Sequence, residues 1–346
     1  MTSLNEVSRA AGVSVSTASR VLNGSPHPVS PQLRERVLAA AEQVGYAPNA
    51  LARGLVSRSS RLIGVIVSDI TNPYFAAIAR GADDVASRAG YVTMLSNADR
   101  RTGAEITRLA AMREYHAAGV IFAGSGYLDD PQHEALAKAV RQAQENGMHA
   151  VTLTHRPIGC PTITVDNQAA AYDLTDYLIS LGHRRIAFID GPAGLTTSEH
   201  RRSGYLAGMS DADLADQADH HEGGFDFESG HTATTRLLAG RDLPDAIIAA
   251  NDEAAVGALD ALRGAGIAVP EQVSVAGIDD LPVARFAGLT TVRLPLYELG
   301  AMAAKQIIDH TVDARQATIL PHRLVPRATT TRRGRRTASG PTGLVR

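Results

Sequence analysis

Residues 14–24 have the sequence Ser-Val-Ser-Thr-Ala-Ser-Arg-Val-Leu-Asn-Gly, which predicts a short helix with one apolar side and one polar side. Ala18, Val21 and Leu22 follow the i, i+3, i+4 spacing of a buried helical face. Ser14 is a typical N-cap, and Gly24 is a typical left-handed residue at a helix C-terminus. The opposite face carries side chains that could contact a polar partner: Val15, Ser16, Ser19, Arg20 and Asn23.

A second helix is predicted directly upstream, where Ser3-Leu4-Asn5-Glu6 has the pattern of a capping box. Only Gly12 and Val13 separate that helix from the Ser14 cap. Two short amphipathic helices joined by a tight glycine turn are typical of a helix-turn-helix, whose second helix enters the major groove of DNA. An ordinary helical hairpin fits the same spacing, so the spacing alone leaves both interpretations open.

The next residues predict a third helix and then a short segment with no obvious core partner. Ser30-Pro31 is a cap followed by proline at the first helical position, and Gly45 ends the helix that begins there. Residues 1–46 therefore form a predicted all-α helix-turn-helix domain. Residues 47–60 are a predicted hinge that becomes helical on DNA, with Leu55 as an apolar wedge in the minor groove. An inert linker is the alternative.

From residue 61 to about 330, short apolar runs alternate with helical stretches, which predicts an α/β fold with parallel sheets. The apolar runs fall into two series, one between residues 62 and 153 and one between 162 and 277. We therefore expect two lobes, with helices on both faces of each sheet. A strand at 290–293, a helix from 296 and a run at 318–325 close this body and could cross back between the lobes.

Polar and aromatic residues follow the predicted strands, where an open parallel sheet binds its ligand. Carboxylates, amides and an arginine beside aromatic rings suit a small polyhydroxylated molecule, because paired donors and acceptors bind hydroxyl groups while a ring covers an apolar face. For Asp69 and Asp252 taken singly, helix capping is an equally good explanation. The candidate effector-binding residues are Ser68, Asp69, Asn72, Tyr74, Phe75, Ser125, Arg201, Phe225, Asn251, Asp252 and Asp279.

The net charge of −2 over 346 residues conceals an uneven distribution. Residues 1–60 hold six arginines against three glutamates, and residues 314–346 hold eight arginines and no acid, so the centre carries −13. Attraction to a polyanion therefore belongs to the two ends of the chain. The arginine-rich tail, residues 331–346, is expected to be disordered. A single cysteine, Cys160, and the lack of a signal or membrane segment predict a cytoplasmic protein.

Motifs for enzymatic chemistry are missing from the sequence. The only lysines, Lys138 and Lys305, each follow an alanine, so there is no phosphate-binding Gly-Lys-Ser/Thr loop. There is also no Gly-x-Ser-x-Gly elbow, no His-Glu-x-x-His metal helix, and no ligand pattern around His220-His221, which lies in a loop-like acidic stretch. We expect neither an enzyme nor a bound cofactor or metal.

With a helix-turn-helix, a hinge and a two-lobed body in that order, residues 3–330 closely resemble the LacI/GalR family of bacterial transcription regulators. The most specific motifs are Asn5-Glu6-Val7-Ser8-Arg9-Ala10-Ala11-Gly12-Val13-Ser14, Gly45-Tyr46-Ala47-Pro48-Asn49, Asp69-Ile70-Thr71-Asn72-Pro73-Tyr74-Phe75 and Gly277-Ile278-Asp279-Asp280. The resemblance implies a body like that of periplasmic binding proteins and a ligand-controlled repressor. It further implies a homodimer on near-palindromic operator DNA, with a sugar or sugar derivative as effector.

The resemblance also assigns roles to individual residues. Val15, Ser16 and Arg20 would contact bases, and Thr17, Ser19 and Asn23 would contact phosphate or sugar. Asn49 opens the hinge, from which Ala52 and Leu55 would enter the minor groove. Arg201, Asn251 and Asp279 match positions that commonly hold the effector, and Phe225 matches a position that often stacks on it. His155 and Leu294 depart from the family's usual aspartate and glutamine, so the effector could differ from a simple hexose.

Three further interpretations remain open on the sequence. A solute-binding protein of a transporter would share the two lobes but would need a secretory signal and has no use for residues 1–57. A sugar-acting enzyme would need a catalytic pair, which is not evident. Within the regulator hypothesis, the effector could instead be a purine or nucleoside.

Overall fold

The computed structural model describes residues 3–22, 28–46, 60–240, 242–311 and 317–333. The N-terminal part consists of α1 (Leu4–Ala11), α2 (Val15–Leu22) and α3 (Pro31–Gln43). The predicted capping box is present, since Ser3 Oγ accepts from Glu6 N and Glu6 Oε2 accepts from Ser3 N. Their core comes from all three helices and contains Val7, Ala11, Ala18, Val21, Val37, Ala40 and Ala41.

Two local devices fix the angle between α1 and α2. Gly12 ends α1 at φ 61°, a left-handed conformation that glycine adopts without strain. Ser14 Oγ accepts a 3.1 Å hydrogen bond from Thr17 N, as its predicted N-cap role requires. Arg36 Nε, on α3, donates to the Ala11 carbonyl and so braces the turn. The predicted terminator Gly24 and the predicted hinge segment 47–59 lie outside the described residues.

The first lobe is built on a parallel sheet in the order β2-β1-β3-β4. Its strands are β1 (Leu62–Val67), β2 (Val92–Asn97), β3 (Gly119–Phe122) and β4 (His149–Thr152), and its helices are α4 (Pro73–Arg88), α5 (Thr102–Glu114) and α6 (His133–Glu145). Every residue of β3 is buried, as expected of a central strand covered by helices on both faces.

The second lobe has a six-stranded sheet in the order β12-β10-β9-β8-β6-β7. The strands are β6 (Ile186–Ile189), β7 (Asp219–His221), β8 (Ala246–Ala249), β9 (Ser274–Asp279), β10 (Thr290–Arg293) and β12 (Arg323–Val325). The helices are α7 (Asn167–Ser180), α8 (Thr196–Asp211), α9 (Phe227–Leu238), α10 (Asp252–Gly264) and the short α11 (Pro282–Phe286). This architecture confirms the predicted α/β class with mainly parallel sheets.

Three details of the prediction are wrong. The run at 162–165 does not enter the second sheet, because β5 (Ile163–Val165) pairs with β11 (Thr318–Leu320) in a separate two-stranded sheet. The run at 318–325 is interrupted by Pro321 and His322, after which β12 pairs antiparallel with β10 at the sheet edge. The stretch around His220 and His221 is the edge strand β7 rather than a loop, because β6 supplies its hydrogen-bond partners.

The last long helix returns to the first lobe, so the chain crosses between the lobes more than once. This helix, α12 (Leu296–Asp309), packs against α4. The contact is close: a Cβ on Gly81 would lie 1.9 Å from the Tyr297 carbonyl oxygen, and one on Gly300 would meet the Ile78 carbonyl oxygen at the same distance. Glycine at these two positions lets the helix backbones approach.

The start of the expected disordered tail is packed against the second lobe. Thr329 is buried, and its Oγ donates to the Val275 carbonyl. Arg333 N donates to the Leu181 carbonyl, and its guanidinium lies 3.2 Å from the Asp245 carboxylate. The tail prediction is therefore wrong for residues 331–333, and residues 334–346 lie outside the described part of the chain.

Candidate functional site

A crevice lies between the two lobes, next to the carboxyl ends of strands from both sheets. It leaves about 490 Å³ of empty space, open solvent included. Nine of the eleven predicted effector-binding residues line it: Ser68, Asn72, Tyr74, Phe75, Ser125, Arg201, Phe225, Asn251 and Asp279. The rule that ligand residues follow parallel strands thus collects side chains that are up to 211 positions apart in sequence into one place.

A buried ion pair forms one wall of the crevice. Arg201, on α8, has a side chain only 3% exposed, and its Nη2 lies 3.0 Å from Asp279 Oδ1 at the end of β9. The same guanidinium donates from Nε to Asn167 Oδ1 at 2.9 Å and from Nη1 to the Ala250 carbonyl. Burial raises the pKa of Asp279 to about 7, an effect that Arg201 partly offsets. Arg201 is therefore both a wall of the crevice and a brace between α8, α7 and the sheet.

Aromatic rings reach the crevice from both lobes. Tyr74 and Phe75, in the first turn of α4, meet edge to face with ring centroids 5.1 Å apart. Phe225, before α9, lies beneath the Arg201 guanidinium at 5.8 Å from the ring centroid. Burial raises the pKa of Tyr74 to about 12, so its hydroxyl keeps its proton and can donate. The described residues provide that hydroxyl with no hydrogen bond, which leaves it available to a ligand.

Hydrogen bonds connect the two lobes along the crevice. Ser125 Oγ, after β3, accepts from Thr197 N at 3.2 Å and from Thr197 Oγ1 at 3.0 Å, and it lies 2.9 Å from Thr196 Oγ1. Leu128 N donates to the Gly194 carbonyl at 2.9 Å in the same pair of loops. We call these contacts between loop 123–131 and residues 194–197 the interlobe latch. These contacts can form only when the lobes are close together.

Two predicted effector residues do not line the crevice. Asp252 is fully buried, where its Oδ1 accepts from Thr291 Oγ1 at 2.5 Å and its Oδ2 accepts from Leu281 N at 2.7 Å. Asp69 Oδ1 accepts from Thr71 N and Oγ1, which makes it a turn cap and lowers its pKa. Neither carboxylate caps a helix, since the N-caps of α4 and α10 are Asn72 and Asn251. Asp69 stabilises a local turn, and Asp252 connects α10 to residues 29 and 39 positions away, so both the effector and the helix-capping interpretations are wrong for these two residues.

Asn251 lines the crevice, but its amide is committed to the fold. Its Oδ1 accepts from Ala254 N as the N-cap of α10, and its Nδ2 donates to the Phe225 carbonyl. Asn251 therefore positions Phe225 and α10, with little hydrogen-bonding capacity left for a ligand.

Five further residues line the crevice and were not predicted from the sequence: Arg100, Ala123, Thr154, Leu195 and Thr197. The strand-end rule could have found Arg100 and Thr154, which follow β2 and β4. His155 and Leu294, the two departures from the family, lie elsewhere, since His155 is exposed and Leu294 is buried in the core. Next to His155, Arg156 forms a buried two-pronged ion pair with Glu105, with both contacts at 2.8 Å.

The predicted DNA-contact helix presents the expected face. Val15 is 42% exposed, Ser16 and Arg20 are exposed, and Thr17 and Ser19 are partly exposed, while Ala18 and Val21 are buried. Ser14 Oγ lies within 2.9 Å of both Ser16 Oγ and Thr17 Oγ1, which holds these hydroxyls at the N-terminus of α2. The remaining predicted DNA contacts, Asn23, Asn49, Ala52 and Leu55, lie outside the described residues.

Across the described ranges, no three His, Cys, Asp or Glu side chains are grouped to hold a metal ion. No helix in the described part of the chain is long and apolar enough to span a membrane. Cys160 is buried, and burial raises the pKa of its thiol to about 12, which makes it a poor nucleophile.

Comparisons with known proteins agree with this two-part architecture. Residues 3–49 match the family model described as bacterial regulatory proteins, lacI family, and residues 175–330 match a periplasmic binding protein-like domain. The ribose operon repressor of Halalkalibacterium halodurans is 33% identical over 343 residues, which covers 95% of this chain and 97% of that protein.

Two solved structures are also similar. The lac repressor dimer bound to operator and an anti-inducer superposes with a TM-score of 0.83 at 26% identity, covering 95% of this chain and 99% of that chain. A LacI family regulator from Enterococcus faecium with bound ribose gives a TM-score of 0.69 at 27% identity, covering 79% of this chain and 100% of that one.

Proposed function

Because the chain belongs to the lacI family of bacterial regulatory proteins, we propose that it is a repressor whose operator affinity is set by a small sugar-like molecule in the crevice. The chain is a DNA-binding transcription regulator, like the family members to which it is similar. Like them, it is not an enzyme. A solute-binding protein of a transporter would share the two lobes only, so the match at residues 3–49 decides against that alternative.

The observation that carries the effector proposal is the Arg201–Asp279 pair on the crevice wall, flanked by rings from both lobes. A carboxylate accepts from sugar hydroxyls and a guanidinium donates to them, while Tyr74, Phe75 and Phe225 cover the apolar faces of a sugar ring. A molecule bound there contacts both lobes at once. It can therefore shift the equilibrium between lobe arrangements by the difference in its affinity for them.

A pentose is the first candidate for the effector. One relative is named a ribose operon repressor, and one similar solved structure contains bound ribose. A purine or nucleoside is the second candidate, because the three aromatic residues that line the crevice, one of them stacked on the Arg201 guanidinium, would also suit a flat base.

On DNA, the proposed form is a homodimer bound to a near-palindromic operator. The exposed face of α2 supports this role, and a similar solved structure is a lac repressor dimer on its operator. Val15, Ser16 and Arg20 contact bases in this proposal, and Thr17, Ser19 and Asn23 contact the backbone. Ala52 and Leu55 enter the minor groove next to Asn49.

The test uses fluorescence anisotropy of the full chain with labelled DNA from upstream of its own gene. Operator affinity is measured without ligand and with ribose, glucose, adenosine, cytidine or hypoxanthine. We expect one chemical class to change the affinity by about 5- to 150-fold. Sequence-specific binding that no sugar, nucleoside or purine alters would contradict the effector half of the proposal.

A DNA-contact variant checks the other half. Arg20→Ala should weaken operator binding by about 1 to 3 kcal/mol and relax specificity at one base pair in each half-site, because an arginine fits the O6 and N7 acceptors of guanine. Arg9→Ala, at the end of α1, is the matched control. An equal loss on all DNA sequences would instead identify Arg20 as a phosphate contact.

A further inference from the structure

Arg100 is a crevice residue whose charge has only a distant partner among the described residues. It lines the crevice together with Ser68 and Asn72, and its Nη2 lies 3.9 Å from Asp69 Oδ2. That separation is a loose ion pair and too long for a hydrogen bond. Arg201, by contrast, has three hydrogen bonds to protein acceptors. The two crevice arginines are therefore unequal among the described residues: Arg201 uses three of its five donors on the protein, whereas Arg100 has only a loose ion pair.

The loop that carries Arg100 is held in a fixed shape. Asp99 and Arg100 have φ values of 51° and 55°, a left-handed conformation that costs a residue with a side chain about 1 kcal/mol. Asn97 supports this turn, because its Nδ2 donates to Asp99 Oδ1 at 2.6 Å and its Oδ1 accepts from Ile70 N. The side chain of Arg100 is thus presented by a braced loop.

Arg100 also lines a second cavity, an open groove on the first lobe that adjoins the crevice. Arg101 and Arg108 contribute to the same groove, which has about 1120 Å³ of empty space, open solvent included. The acid that lines it, Asp130, is engaged by the protein, since it accepts from Thr102 Oγ1 and Gln132 N. Because Arg100 belongs to both cavities, a ligand in the crevice could extend past it toward Arg101 and Arg108.

We propose that the effector is an anionic monosaccharide whose sugar ring lies between the lobes and whose charged group binds Arg100. This inference rests on the proposed function, because it concerns the ligand of the same crevice. A phosphate monoester fits best, since a guanidinium matches two of its oxygens and the groove has room beyond the sugar for a tetrahedral group. A carboxylate also presents two oxygens to the guanidinium, and it is smaller than a phosphate. Arg100 is then the residue that distinguishes charged sugars from neutral ones.

The test compares charged and neutral forms of the same sugar by isothermal titration calorimetry on the full chain. The pairs are ribose with ribose 5-phosphate and glucose with glucose 6-phosphate, and glucuronate separates a carboxylate from a phosphate. Wild type is compared with Arg100→Gln. Arg88→Gln is the matched control, because Arg88 is an exposed arginine at the other end of α4 from the crevice.

We expect the charged member of at least one set to bind wild type and Arg88→Gln more tightly than the neutral sugar, by on the order of 10- to 100-fold. The difference should disappear in Arg100→Gln. A preference for glucuronate over glucose 6-phosphate would support a carboxylate as the charged group. Asp69→Asn, which keeps an acceptor for Thr71, should strengthen binding of the charged sugar because it removes the competing carboxylate.

Three results would overturn the inference. In the first, a neutral sugar binds as tightly as its charged form and alters operator affinity, which leaves the proposed function intact. In the second, the charged sugar binds tightly but Arg100→Gln does not weaken it, which places the anion elsewhere. If no sugar in either form binds while operator binding persists, both this inference and the sugar-effector proposal fail.

Discussion

Arg201 shows how one residue serves both the ligand site and the fold. Its guanidinium neutralises the buried Asp279 and also bonds Asn167 and the Ala250 carbonyl. Arg201→Ala should therefore lower the free energy of unfolding by about 3 to 5 kcal/mol at pH 8, because an uncompensated carboxylate stays buried. The loss should be smaller at pH 5, since Asp279 has a raised pKa and can take up a proton there. Urea unfolding at the two pH values measures both effects.

The control at this scale is Tyr74→Phe, which removes a crevice hydroxyl that no described residue bonds. Unfolding should be almost unchanged, whereas effector affinity should fall by about 1 to 2 kcal/mol. If Arg201→Ala were as stable as Tyr74→Phe at pH 8, the buried ion pair would have no structural role.

At the scale of elements, the interlobe latch connects loop 123–131 with the start of α8. Ser125→Ala removes the acceptor for both Thr197 N and Thr197 Oγ1 while leaving each lobe's core intact. We expect it to favour separated lobes and to weaken effector binding by about 1 kcal/mol, because the proposed effector contacts both lobes and so requires them to be close together. Calorimetry gives the affinity, and small-angle X-ray scattering gives the lobe separation.

Ser180→Ala, at the end of α7, is the control, because the one hydrogen bond of its hydroxyl to a described residue is to the Tyr177 carbonyl. Equal affinities for the two variants would contradict a role for the latch.

At the scale of the whole molecule, Phe286 on α11 is the most exposed large apolar side chain among the described residues, at 92%. Aromatic side chains are enriched at protein interfaces, so we expect Phe286 to be covered in the proposed homodimer. Phe286→Ser should raise the dimer dissociation constant by about 10-fold or more, as removal of an aromatic anchor does, and should weaken operator binding in parallel. Sedimentation velocity across a dilution series measures the first effect.

Tyr115→Ser, on the first lobe, is the control. If the Phe286→Ser protein remained as dimeric as this control, α11 would be excluded from the interface.

Local signals in the sequence were sufficient to predict much of the fold of this protein. The caps at Ser3, Ser14 and Ser30 and the spacing of Ala18 and Val21 determined the N-terminal helices, because capping and helical periodicity involve residues only three or four positions apart. The order of the apolar runs along the sequence predicted that the body has two lobes. The strand ends, together with the loops and helix starts next to them, located nine crevice residues, because all parallel strands place their carboxyl ends at one edge of a sheet.

Only the tertiary structure decided how each polar group in the site is used. Whether Asp252 faces a ligand or the protein depends on Thr291, 39 positions away, and the pairing of β5 with β11 joins residues more than 150 positions apart. The role proposed for Arg100 depends on its lining both the crevice and the groove, which only the tertiary structure shows. Hydrogen-bond partners and burial are set by neighbours in space, so distant residues leave no local pattern in the sequence from which such roles could be predicted.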